Sequence, residues 1–265
     1  MRRFMVEHIE PERGRCVIRG SEARHIGKVL RMGPGDPLVL MDRAGLRFLG
    51  RIESVGPGEI TVSLEKPLPA PPPSPLRLAL GQALLRSGPM DHVIQKTSEL
   101  GVQRIEPFSS ERTVVRLASE GMENRLRHWR EIAVSAAKQS DRERPPEIQP
   151  PVSLGGLLSR WGSVDIPRII LWEGEDTRDL KGLLREVPPP REAMGLVGPE
   201  GGFSVEEVAA AREAGFLPAS LGRRILRAET AAVTLVALLQ YEWGDLSLES
   251  AHGPRFTAHG GADVV

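Results

Sequence analysis

The stretch 197-VGPEGGFSVEEV-208 sets three glycines, a proline and a carboxylate between an apolar run and a helix start. Glycines let a backbone approach a ligand closely, and N–H groups at a helix N-terminus point at whatever lies in front of them. Phosphate binding is the first chemistry such a loop suggests, and it fits poorly. GPEGG matches neither G-x-x-x-x-G-K-S/T nor G-x-G-x-x-G, no lysine stands ready to reach a phosphate, and Glu200 would repel one. A carboxylate there suits a neutral or cationic ligand, or a proton that must be removed.

Two further loops share this character. In 221-LGRRILRAETA-231 a glycine is followed by Ile225 and Leu226, apolar where loops are usually polar, and then by a helix start at Glu229 and Thr230. Apolar side chains in such a loop are what the faces of an adenine ring need, with backbone groups reading its edge. A third, 171-LWEGED-176, adds Glu173 and Gly174. A glycine turn with a solvated glutamate explains any one loop alone; three together favour a site.

Stepping from loops to the elements that hold them, Ser204 and Glu207 spell a capping box, with Phe203 stapled to Val208. Strands are expected at 76–83, 103–108, 168–173, 193–198 and 217–222, and helices at 89–100, 121–140, 178–187, 204–215 and 229–243. That alternation means an α/β domain with a mostly parallel sheet, whose ligands lie at the carboxyl ends of the strands. Before it, short segments at 15–19, 37–42, 46–55 and 59–65, separated by Gly and Pro turns, read as a small β-barrel over residues 1–66. Within it a helix is expected over 21–32, capped by Ser21, with Ile26, Val29 and Leu30 on one face. The proline-dense, uncharged 67-PLPAPPPSP-75 is a semi-rigid linker, residues 76–246 form the second domain, and the Gly-rich tail 247–265 is expected to be disordered.

Composition narrows the partners. No run of eighteen apolar residues offers a membrane span and MRRFMVEHIE lacks an apolar signal core, so a cytoplasmic location is expected. Cys16 is the single cysteine, with no Cys or His at metal-ligand spacing, so no metal site is expected. The formal charge is zero, but residues 1–66 carry 12 Lys+Arg against 9 Asp+Glu while residues 151–265 carry 11 against 16. An anionic partner therefore belongs to the first half. Of 35 basic residues 30 are arginine, whose planar fork suits phosphates and base edges.

The segments 196-LVGPEGGFSVEE-207, 221-LGRRILRAETA-231, 95-QKTSELGVQRIEPF-108 with 111-ERTVVR-116, and 132-IAVSAAKQSDRERPPEI-148 resemble the ribosomal RNA small subunit methyltransferase E family of the SPOUT superfamily. The stretches 2-RRFMV-6 and 24-RHIGKVLRMGPGD-36 resemble its N-terminal PUA-like barrel, so the likeness spans nearly the whole chain. It implies an α/β SPOUT-type sheet with a trefoil knot and a homodimer. It also implies S-adenosylmethionine-dependent methylation of uridine N3 in 16S rRNA of the small ribosomal subunit. The alternatives are a non-catalytic RNA-binding protein, or a methyltransferase for another RNA nucleotide. The linker is longer than the family's, and the tail has no counterpart in it.

Carried onto this chain, the resemblance makes Leu171, Trp172, Glu173, Gly198, Glu200, Gly202, Leu221, Gly222, Ile225, Leu226 and Arg227 the cofactor contacts. Arg227 is then expected to stabilise a developing uracil imidate, with Glu200 as a possible base; the competing role for Arg227 is a salt bridge to Glu229 or Glu200. RNA contacts are expected from Arg2, Arg3, Arg24, Lys28 and Arg31 on the barrel, and from Arg86, Lys96, Arg112 and Arg142 on the second domain. The helix 229–243, apolar on more than one face, suits either a core helix or a dimer contact.

Overall fold

In a computed structural model, which describes residues 1–42, 44–69, 74–115, 121–140, 142 and 144–246, the chain builds two sheets. The expected tail 247–265 and residues 70–73 of the linker lie outside the described residues.

The first sheet joins β1 (Arg2–Met5), β2 (Arg15–Arg19), β3 (Pro37–Met41), β4 (Arg47–Val55) and β5 (Glu59–Pro67) in the order β1-β3-β4-β5-β2. β1 pairs with β3 in parallel and the other pairs are antiparallel. Along β2 burial alternates, Cys16 and Ile18 pointing in, as a half-buried strand requires. Register shifts in β4 at Leu49/Gly50 and Ile52/Ser54 are the irregularities that curl a sheet round its core of Phe4, Ile9, Leu38, Leu40, Ile52 and Ile60. The expected helix over 21–32 is shorter and differently wound: α1 (Gly20–Arg24) passes into a π-helical turn, His25–Val29. Ser21 lies inside α1, and the capping position belongs to Arg19, whose side chain caps nothing. The bond from Leu30 N–H to His25 O, 2.9 Å, widens the turn, so Ile26 and Leu30 remain inward while Val29 swings out and is 67% exposed.

The second sheet is entirely parallel. It runs β12 (Leu217–Ala219), β10 (Arg168–Leu171), β11 (Glu192–Val197), β6 (Arg77–Ala83), β7 (Arg104–Ser109) and β8 (Glu147–Ile148), with β9 (Val152–Ser153) also pairing with β7. One core gathers Leu78 and Leu80 with residues of α2 (Ser87–Glu99), α3 (Met122–Ser140), α5 (Leu180–Glu186) and α7 (Ala228–Glu242). The second core gathers Met194 and Leu196 with α4 (Leu154–Trp161) and α6 (Val205–Glu213). Every expected helix and strand of this domain is present, while α4, β8 and β9 had no expectation. α4 starts where Ser153 Oγ accepts the Gly156 N–H at 3.1 Å. β10 and β12 stop at Leu171 and Ala219, short of the expected 173 and 222, because the residues beyond them turn out into loops.

From β6 the chain builds outward through β7 and β8, then returns on the other side through β10, β11 and β12. That reversal is the place where an open parallel sheet leaves a crevice beyond its strand ends. The two sheets meet along α3, whose Lys138 Nζ lies 3.4 Å from Glu22 Oε1 of α1.

Candidate functional site

The glycine loop sits at that crevice. β11 ends buried at Val197, and Ser204 starts α6 as expected: Ser204 Oγ accepts the Glu207 N–H at 3.3 Å and Glu207 Oε2 accepts the Ser204 N–H at 3.0 Å. Phe203 is buried and stacks parallel to Phe108, centroids 6.2 Å apart, which pins the loop's far end. Between them Gly202 donates to Pro199 O at 3.0 Å with φ of 69°, a left-handed conformation that costs any side-chain-bearing residue. The Glu173 carboxylate leans over Gly202 where a Cβ would stand, so the 171–176 loop and the glycine loop touch through a glycine.

A cavity of about 810 Å³ opens at the ends of β6, β10, β11 and β12, and all eleven residues expected from the three loops line it. Leu171 is buried at the end of β10, and Trp172 packs its indole over Gly174. Leu221 and Leu226 are half-buried, apolar surfaces at the cavity wall. Ile225 lines the cavity at its rim and is 88% exposed. Glu200 is exposed, its Oε1 3.5 Å from the Arg86 N–H. Arg227 flanks the start of α7, exposed, and makes no ion pair with Glu229, Glu200 or any other described carboxylate.

One carboxylate of the cavity lining escaped the sequence reading. Glu175 is 7% exposed and accepts from the Thr177 N–H (3.0 Å), the Thr177 hydroxyl, the Arg178 N–H (3.2 Å) and Arg212 (2.8 Å). The Thr177 hydroxyl bond, with the two amides and the Arg212 guanidinium, holds its carboxyl below the ordinary 4.5 against the opposing pull of burial. Glu175 thereby folds the loop carrying Trp172 and Glu173. The local signal was the E-x-T spacing, but Arg212 is 37 residues away.

The expected RNA contacts divide. Arg2, Arg3, Arg24, Lys28 and Arg31 are exposed on the first domain, with Arg2 Nη1 donating to Leu30 O at 3.2 Å. Arg86 lines the cavity, and Arg112 donates to Gly201 O at 3.1 Å beside it. Lys96 and Arg142 are not brought to that group. Lys96 pairs with Glu99 at 2.9 Å, and Arg142 is held half-buried in a two-bond pair with Asp245 (2.7 and 3.3 Å). Arg223 and Arg224, unassigned from the sequence, also line the cavity. Among the described residues no group of His, Cys, Asp and Glu could hold a metal, and no helix is long and apolar enough to cross a membrane.

Glycines and half-buried leucines line one cavity together with carboxylates and arginines, a lining that suits a flat apolar ring on a polar, charged ligand. Comparison with known proteins agrees. An RNA methyltransferase domain matches residues 72–240 and an RNA methyltransferase PUA domain residues 18–65. The ribosomal RNA small subunit methyltransferase E of Buchnera aphidicola subsp. Schizaphis graminum is 32% identical, across 86% of this chain and 90% of that protein. Its counterpart in Bacillus subtilis is 27% identical, across 85% and 89%. The crystal structure of that enzyme from Neisseria gonorrhoeae, bound to S-adenosyl methionine, is 31% identical with a TM-score of 0.80, covering 93% of this chain and all of the other.

Proposed function

The chain belongs to the ribosomal RNA small subunit methyltransferase E family, an rRNA methyltransferase with a PUA domain, and from that premise we propose that it methylates N3 of a uridine in 16S rRNA using S-adenosylmethionine. The observation that carries the proposal is the convergence of three strand-end loops on one cavity that also receives Arg227, which no described carboxylate neutralises. About 810 Å³ falls within the roughly 300–1,000 Å³ usual for small-molecule sites. The residues fit the cofactor. Backbone at Gly198 and Gly202 would hold its polar groups, Leu221 and Leu226 would offer apolar surface to its adenine, and Glu173 and Glu200 would tolerate its cationic sulfur.

When bound, the cofactor supplies an electrophilic methyl group. Uracil N3 carries a proton at neutral pH, so a group on the protein must take or share it as the nitrogen becomes nucleophilic. Glu200, exposed at the mouth, is the proposed acceptor. Arg227 is the proposed partner of the uracil oxygen on which charge develops, free for that role because no described carboxylate neutralises it. Strong negative charge against the sulfonium would favour the ground state over the transition state, which suits carboxylates at the rim rather than on the sulfur.

Arg2, Arg3, Arg24, Lys28 and Arg31 are proposed to grip rRNA phosphates, with Arg86 and Arg112 continuing that path toward the cavity. The cofactor loops are proposed to belong to a trefoil knot, and the enzyme to work as a cytoplasmic homodimer. Leu238 (39% exposed) and Tyr241 (61%) on α7 are apolar surface for the second copy. Calorimetry with S-adenosylmethionine and, separately, ATP tests the cofactor: saturable heat with the first and none with the second is expected, and the reverse would reject it.

A further inference from the structure

The loop that runs from Leu221 to Arg227 ends in a tip at the cavity rim. Ile225 is 88% exposed, the most exposed large hydrophobic side chain among the described residues. It is flanked by Arg223 and Arg224, both exposed and both lining the cavity mouth. Gly222, with φ of 90° and open space where a Cβ would be, lets the chain turn so that this tip projects.

Some exposed arginines find carboxylates, as Arg15 does with Glu53, Arg19 with Glu59 and Arg51 with Glu65. Arg223 and Arg224 find none within 4.0 Å among the described residues, although Glu173, Glu200 and Glu229 line the same cavity. Two adjacent guanidiniums that no described carboxylate neutralises, beside a bare isoleucine, match a polyanion that also has stacked, apolar bases.

Resting on the proposed RNA reaction, we infer that residues 223–225 form a wedge that opens the RNA stack at the target. Arg223 and Arg224 hold phosphates on either side of the reacting nucleotide. Ile225 enters the space that nucleotide leaves when it turns into the cavity. A base inside a stack cannot present N3 to the cavity, so it must be extruded, and filling the gap offsets part of the unstacking cost. Ile225 is thus an RNA-contacting residue rather than a wall of the cofactor pocket.

The test uses the full chain with small subunits assembled on 16S rRNA that lacks the modification, carrying 2-aminopurine beside the target uridine. Binding of the unaltered protein should raise 2-aminopurine fluorescence, reporting lost stacking, and Ile225→Ser should bind with the rise abolished. Arg223→Gln with Arg224→Gln should weaken RNA binding about tenfold and flatten the slope of log K against log salt by about 1.4, near 0.7 per single-strand phosphate. S-adenosylmethionine affinity should stay within twofold in every variant. A Ile225→Ser protein that loses cofactor affinity and keeps the fluorescence rise would overturn the inference. So would one whose oligomeric state changes while RNA binding does not. An unaltered protein that opens the stack and transfers no methyl would count against the proposed reaction while leaving the wedge standing.

Discussion

The Glu207 carboxylate accepts the backbone N–H of Glu111 at 2.8 Å while its other oxygen caps the start of α6 at Ser204. A single side chain therefore ties the segment after β7 to the glycine loop. That segment also reaches the loop through Arg112 and places Val114 in the cavity wall. Glu207→Ala should cost about 1 kcal/mol through the lost cap. It should also speed hydrogen exchange at the Glu111 amide far more than at α7, as read by mass spectrometry. Uniform acceleration across the domain would mean that Glu207 is only a cap.

Gly202→Ala forces a side chain into a left-handed conformation at a cost of roughly 1–2 kcal/mol and pushes the Glu173 carboxylate away. Cofactor affinity should fall about tenfold while the melting temperature drops only a few degrees. Unchanged affinity would remove the contact between these two loops from the site.

Glu175 links pH to stability. Its carboxyl is held below the ordinary 4.5 in the folded protein, so its stabilisation is fully present above that value and is lost as pH falls through the folded one. Glu175→Gln should lower the melting temperature at pH 7, and the gap to the unaltered protein should close as the pH falls below the ordinary 4.5 and through the folded value. A gap that widens on acidification contradicts the assigned sign.

Arg142 separates a structural arginine from a nucleic-acid contact. Its pair with Asp245 is mostly shielded, side chains 21% and 15% exposed, and Arg142→Ala should destabilise the fold by about 2 kcal/mol. RNA affinity should not change. A weakened RNA complex at unaltered stability would restore the reading made from charge alone.

Glu200→Gln addresses the proton. If Glu200 accepts it, single-turnover methyl transfer should slow by about a hundredfold. A rate unchanged at every pH removes Glu200 from that step.

What could be read in the sequence was what neighbouring residues decide. The start of α6 follows from Ser204, Glu207 and the glycines before it, and Lys96 could have been paired with Glu99 from spacing alone. The cavity loops were legible because glycine and misplaced apolar residues mark them. Contacts between distant segments were hidden: Arg142 meets Asp245 across 103 residues, and Glu111 meets Glu207 across 96. Local patterns also misled where the backbone left its ordinary period, as at Val29, which a π-helical turn rotates into solvent. α4 was masked by Gly155 and Gly156 at its start, whose low helix propensity is overridden by burial of Leu154, Leu157 and Leu158. That Ile225 stands exposed at the cavity rim was not legible, because hydrophobicity says nothing about which way a loop tip points.

The most direct measurement of the central claim is nucleoside mass spectrometry of 16S rRNA after incubation of unmodified small subunits with the protein and S-adenosylmethionine. One N3-methyluridine per rRNA is expected, with Arg227→Ala reducing its rate of formation roughly a hundredfold. A methyl group on any other atom or base, or a full rate with Arg227→Ala, would contradict the account.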